Sequence, residues 1–268
     1  MAGLLRVLPD VRFGSRRSVH VLERNALAYR RAWGVLVSGF FEPLFYLLSL
    51  GIGLNKLIGH IPLHDHHIVV TYAQYVAAGM LATSAMNGAV IDTIFNTFFK
   101  LKISHVYEPV LTTPLEVTDL ALGEVLWSLT RGVLYSTSFI SCMVILGDFR
   151  SWWVWMCLPC ALLASFAFAC AGLAGCTYIR SWQDFDIVSL IQLPMFLFSG
   201  TFFPTYIYPH WFAVVITFSP LYQAAALLRG FALGVFTWTL LVHVAYLAAM
   251  GLACLSVAAR RFRRILAP

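Results

Sequence analysis

Few side chains in this sequence are suited to chemistry, and most of those sit in or beside apolar runs. The ionisable groups there are Glu42, Asp92, Glu124 and Arg131, and a charge at membrane depth is a functional candidate by default. Glu124 and Arg131 are seven positions apart and share one helical face. They can meet through one further residue or take separate neighbours. His60, His64, His66 and His67, with Asp65, form a second group. Its donors suit a divalent cation, but loop histidines are ordinarily solvated, and no metal is expected. Cys157 and Cys160 have the C-x-x-C spacing, yet an apolar helix is a poor place for a thiolate. All six cysteines are expected to pack as small hydrophobes. Asp92, Glu116, Asp119 and Glu124 would serve a lipid-acting membrane enzyme if they met at one metal or phosphate. A proton relay would need a ladder of carboxylates at mid-membrane depth, which the sequence does not offer.

Nucleotide hydrolysis is not written into the chain. A Walker A loop needs Lys directly after Gly. The three lysines, Lys56, Lys100 and Lys102, follow Asn55, Phe99 and Leu101. G-x-S-x-G and H-E-x-x-H are also missing, so no catalytic residue is assigned.

The elements that must position these groups are helices in lipid. Of the 268 residues, 60% are hydrophobic and only 11% are charged, and the mean hydropathy is +0.80. A soluble domain carries about 25% charged residues, so composition excludes a soluble, a disordered and a disulfide-stapled secreted protein. A helix needs about 20 apolar residues to cross the hydrocarbon core. Charge-poor stretches of that kind predict six spans, over about 33–54, 68–95, 119–147, 152–178, 186–203 and 235–258. Residues 187–228 carry no charge but contain Pro194, Pro204, Pro209 and Pro220. Proline breaks the helical ladder, so 204–230 reads as a broken, re-entrant outer segment. The fold class is an all-α polytopic membrane protein.

Fourteen of the 18 Lys and Arg residues fall on the side that holds both termini, which places both termini in the cytoplasm. The first apolar run starts about 30 residues in, behind seven arginines and with no A-x-A site, so it reads as a retained helix rather than a signal peptide. Before it, Val19, Leu22, Ala26 and Tyr29 recur at intervals of three and four, which predicts an amphipathic helix over 15–31 lying in the headgroup layer. Such a helix can be a simple anchor or a lever on the first span. Between spans two and three, residues 100–118 form a cytoplasmic stretch that Pro109 and Pro114 keep short and rigid. It reads equally as a knob that docks on a soluble partner and as an ordinary connection.

One stretch has a recognisable pattern. Phe198, Ser199, Gly200, Phe203 and Pro204, followed by Ser219, Pro220, Leu221, Arg229 and Gly234, resemble the signature of ABC-2-type exporter permeases. Residues 75–86 (YVAAGMLATSAM) and 122–127 (LGEVLW) resemble the branch of nodulation lipooligosaccharide and drug exporter permeases. The resemblance implies six helices behind an interfacial elbow helix, and short re-entrant helices on the outer side. It also implies a coupling helix at 100–118, with Tyr107, Glu108, Pro109, Val110, Thr112 and Pro114 facing an ATPase subunit. Phe198, Gly200, Phe203, Pro204, Ser219 and Pro220 would form the translocation path or outer gate. Two permeases, identical or homologous, would pair with two cytosolic P-loop ATPase subunits. ATP and Mg would be held on those subunits, with no cofactor in this chain and no nucleic-acid partner. The place is the bacterial plasma membrane, among its lipids. The cargo class is an amphiphile such as a lipooligosaccharide, a glycolipid or a hydrophobic drug. The rival readings are a polytopic enzyme acting on a lipid-linked substrate, an ion-coupled secondary transporter and a non-transporting scaffold.

Overall fold

Apolar runs of this length become helices because lipid offers no partner for an open backbone. A computed structural model describes residues 16–29, 33–63, 68–112, 115–149 and 151–266. Among the described residues the α-helices are, in order, α1 (Arg16–Tyr29), α2 (Trp33–Ile58), α3 (Tyr72–Phe98), α4 (Tyr107–Leu111), α5 (Val117–Leu146), α6 (Cys157–Cys176), α7 (Asp184–Phe198), α8 (His210–Thr217), α9 (Pro220–Leu233) and α10 (Thr239–Leu266). A short antiparallel hairpin, β1 (His60–Leu63) with β2 (Ile68–Thr71), joins α2 to α3 and pairs His60 with Thr71. A π-helical turn, Phe99–Ile103, ends α3.

The core is built on α3 and α6, which pack on each other and are flanked by α2, α5, α9 and α10. Both are rich in small residues. Ala77, Ala78, Ala82, Ala85 and Ala89 of α3 are fully buried, as are Ala161, Ala164, Ala167 and Ala169 of α6. Small side chains let helix backbones approach closely, which is how helices associate where water supplies no driving force. Cys157, Cys160, Cys170 and Cys176 are buried among them as free thiols, the packing role expected of them.

Among the described residues three stretches are long and apolar enough to cross a membrane: Val117–Leu146, Trp152–Cys176 and Thr239–Leu266. The α8–α9 pair, bent by 81°, adds a fourth candidate. Helix α3 has the length, 27 residues, but carries Gln74, Asn87, Asp92 and Asn96. It tolerates them because neighbouring helices, rather than lipid, cover most of its surface. The helix expected from residue 68 begins at Tyr72, because 68–71 pair in the hairpin. Thr71 caps it: its Oγ1 accepts from the Gln74 N–H at 3.3 Å, and the Gln74 side chain accepts from the Thr71 N–H at 3.3 Å. The helix expected to run to 203 stops at Phe198. Fifteen residues rise only about 22 Å. The chain turns at Gly200, whose φ of +71° closes off a further helical turn.

Helix α1 lies where the amphipathic helix was expected, and a face other than the Val19 and Ala26 stripe packs on the bundle. Ser18, Val21 and Asn25 are buried against the bundle, while Val19, Ala26 and Leu27 are exposed. The protein-facing stripe is part polar because a carboxylate waits for it on α5. Helix α1 packs along the start of α5, and Phe262 near the end of α10 lies against Tyr107 of α4, centroids 6.3 Å apart. The first described helix and the end of the last one therefore meet at one end of the bundle.

Candidate functional site: the charged junction beneath helix α4

At that end the charges converge. Glu124, in the second turn of α5, is 2% exposed. Its Oε1 and Oε2 each accept from Lys100 Nζ at 2.9 Å. Asn25 Nδ2 of α1 donates to Oε2 at 3.1 Å, and the Tyr107 hydroxyl of α4 donates to Oε1 at 3.1 Å. Lys100 Nζ also donates to Asn25 Oδ1 at 2.8 Å, and Arg24 Nη2 stands 3.6 Å from Oε1. One carboxylate thus clamps α1, the π turn, α4 and α5. Gly123, beside it, makes room for α1: a Cβ there would lie 2.5 Å from Val21 Cβ.

Two turns further along α5 lies a second pair. Arg131 forms an ion pair with Asp92 of α3 and donates from Nη2 to the Tyr135 hydroxyl at 2.8 Å. The Tyr29 hydroxyl of α1 donates to Asp92 Oδ1 at 2.8 Å. Glu124 and Arg131 therefore take separate partners rather than each other. Thr93 and Ser128 link the two levels, with their hydroxyl oxygens 2.5 Å apart and Ser128 Oγ donating to the Glu124 carbonyl at 3.1 Å.

Burial sets the protonation of this junction. It pulls the Lys100 amine below its ordinary value, against the opposing attraction of Glu124. Burial, reinforced by Glu124, holds the Tyr107 phenol well above its usual range. Burial and then Asp92 raise the Tyr29 phenol.

Helix α4 itself stands out from the clamp. Tyr107 is buried, while Glu108, Pro109 and Thr112 are exposed and Val110 is half-buried. The Glu108 side chain is 69% exposed and meets His105 Nδ1 at 2.9 Å. His105, just before the helix, has a φ of +47°, a left-handed conformation that is sparse for non-glycine residues. It aims the chain sharply into α4. Pro114 lies outside the described residues, as do His64, Asp65, His66 and His67. The side chain of Glu42, within α2, lies outside them too. His60 is exposed on β1.

The four carboxylates of the enzyme reading do not converge. Asp92 and Glu124 each hold a cation, whereas Asp119 Oδ2 accepts from the Glu116 N–H at 3.3 Å to cap the start of α5. No group of three or more metal-ligating side chains occurs among the described residues.

The residues expected at the outer gate lie at the opposite end, and they do not line one cavity. Phe198 is exposed in an aromatic cluster with Tyr208 and Phe212. Ser219 and Pro220 form the bend between α8 and α9. Phe203 is partly exposed, and Pro204 borders a cavity with Arg229. Gly200 joins the two halves of the recognised pattern: its carbonyl accepts from Arg229 Nη2 at 2.9 Å and from the Tyr75 hydroxyl at 2.9 Å.

A second cleft, of roughly 200 Å³, opens between α2, α3 and α7. Tyr46, Asn87, Gln192 and Phe196 are among its lining residues, and Gln192 Nε2 donates to Asn87 Oδ1 at 2.8 Å. Neither amide stood out in the sequence. The available signal was a polar side chain inside an apolar run.

The family model described as ABC-2 type transporter matches residues 18–233. The relatives include Nodulation protein J of Rhizobium leguminosarum bv. trifolii, 31% identical over 82% of this chain and 83% of that protein. Nodulation protein J of Rhizobium meliloti (strain 1021) is 31% identical over 84% of this chain and 83% of its own. That of Sinorhizobium fredii (strain NBRC 101917 / NGR234) is 32% identical over 79% of each.

Proposed function

This chain belongs to the ABC-2 type transporter family, and from that premise we propose that it is the membrane permease of an ATP-driven exporter. Its cargo is an amphiphilic or lipid-linked molecule: a lipooligosaccharide, a glycolipid or a hydrophobic drug. The protein sits in the bacterial inner membrane, with the α4 end in the cytoplasm and six passes formed by α2, α3, α5, 152–176, α7 with its turn, and α10. Two cytosolic P-loop subunits bind ATP and Mg beneath it.

The observation that carries this reading is the form of α4. A five-residue helix presents Glu108 and Pro109 to solvent, with Thr112 exposed just after it, while its first residue, Tyr107, is fixed to Glu124. A push on its exposed face reaches α1, α3 and α5 through one carboxylate. That is the arrangement needed for a partner's closure to bias the membrane helices between two states.

The pathway runs beside α7. Ile187, Leu190, Ile191, Leu193 and Leu197 of that helix are exposed, as are Phe41, Phe45 and Tyr46 of α2. An apolar face interrupted by Ser189 and by the Gln192–Asn87 pair suits a second permease copy and a cargo with both acyl and polar parts.

The test is co-purification of the full chain in mild detergent, followed by an ATPase assay. A stoichiometric P-loop ATPase is expected with the chain, and it should be lost when residues 107–109 are altered. A chain that purifies without an ATPase under several extraction conditions, and that drives transport from an ion gradient alone, overturns the proposal.

A further inference from the structure

A cavity of roughly 520 Å³ lies between the start of α3, the segment after Pro204, α9 and the first turns of α10. It sits at the end opposite α4: Tyr75 and Phe99 are separated by 24 residues of helix, about 36 Å. Three tyrosines and three threonines line it, together with Arg229 and His243, and no Asp or Glu among the described residues does. Leu233, Val235 and Leu240 give it an apolar wall.

Arg229 is the unusual member. Among the described residues it forms no ion pair. Its guanidinium lies 3.8 Å over the Tyr75 ring, and Nη2 donates to the Gly200 carbonyl at 2.9 Å. Its Nε is buried with no hydrogen-bond partner. A carbonyl and a ring face offset only part of the cost of withdrawing a guanidinium from water. A planar cation with unused donors, set in a cavity of hydroxyls with no carboxylate among the described residues, matches an oxyanion.

We propose that this cavity binds an anionic oxygen group, a phosphate or carboxylate. Arg229 supplies the charge, and the hydroxyls of Thr205, Tyr222 and Thr237 supply further hydrogen bonds. The apolar wall lies where the first carbons of an attached chain would run. The site stands on its own geometry, whether or not the chain exports.

The experiment is native mass spectrometry and thermal melting of the full chain, with any subunits that co-purify. The additions are phosphatidylglycerol, phosphatidylcholine or inorganic phosphate. The parent protein should retain phosphatidylglycerol about tenfold over phosphatidylcholine, Arg229→Gln should lose that preference, and Arg229→Lys should keep part of it. Because Arg229 also holds the Gly200 turn, Thr237→Glu provides a second test. It places a carboxylate in the same cavity while leaving Arg229 intact, and should abolish anion retention without lowering the melting temperature. Inorganic phosphate that raises the melting temperature as much as phosphatidylglycerol does supports the site with a free anion as its ligand. A parent that prefers neither anion over phosphatidylcholine overturns the proposal, as does a Thr237→Glu protein that keeps the preference.

Discussion

Glu124 draws four segments to one point, and its removal tests that role. Glu124→Ala leaves Lys100, only 13% exposed, without its counter-ion. Breaking a buried pair from one side costs about 3–5 kcal/mol, so the melting temperature should fall steeply. Glu124→Leu combined with Lys100→Met should recover part of that loss, because the Lys100 charge goes with its partner and only the partly exposed Arg24 is left without one. Tyr107 gives a pH-dependent counterpart. Its folded-state pKa lies well above the value of 10.0 of a free phenol. The stability gained by keeping it protonated is therefore complete below pH 10 and is lost as pH rises further, while the unfolded chain ionises. The loss is about 1.4 kcal/mol per pH unit for each such phenol. Tyr107→Phe, less stable than the parent at pH 9 for want of its bond to Glu124, should close part of the gap by pH 11. Thermal unfolding at the two pH values measures this.

At the scale of elements, two short pieces govern the rest. Helix α4 should tolerate Glu108→Lys, since the side chain is exposed and bonded only to His105. The expected outcome is a folded complex whose ATP hydrolysis no longer drives export, read by assaying both activities on one preparation. Undiminished transport would remove α4 from the coupling role. The turn at Gly200 should not tolerate a side chain. A residue with a Cβ pays about 1–2 kcal/mol for the left-handed conformation, and that Cβ would lie 3.3 Å from the Tyr222 ring. Gly200→Leu is expected to lower the melting temperature and stop export. The positive φ is what reserves this position for glycine. Charge-free runs and proline positions made α2, α5, α6 and the α8–α9 break legible to within a few residues, because lipid imposes that pattern locally, whereas α10 runs on to Leu266, well past the expected 258. The pairings were not legible. Lys100 meets Glu124 across 24 residues, and Arg229 meets Gly200 across 29. Helical periodicity says which face a residue lies on, not which helix that face will meet. The polar, protein-facing side of α1 was illegible for the same reason: its buried Asn25 meets a carboxylate 99 residues away.

Across the whole molecule, one feature bears on how the chain reaches its membrane. Helix α3 sits at the centre of the bundle, yet its amides and Asp92 keep it out of the set of helices apolar enough to cross alone. During synthesis it would leave the ribosome before α5 and α6, the helices that later shield it. A chain ending after Phe98 should therefore leave α3 unintegrated, with a reporter at its end accessible to protease. A chain extended through Cys176 should protect the same reporter. The polarity that equips α3 for its place in the finished bundle makes its insertion depend on helices not yet made, so topogenesis of this protein is cooperative rather than strictly sequential.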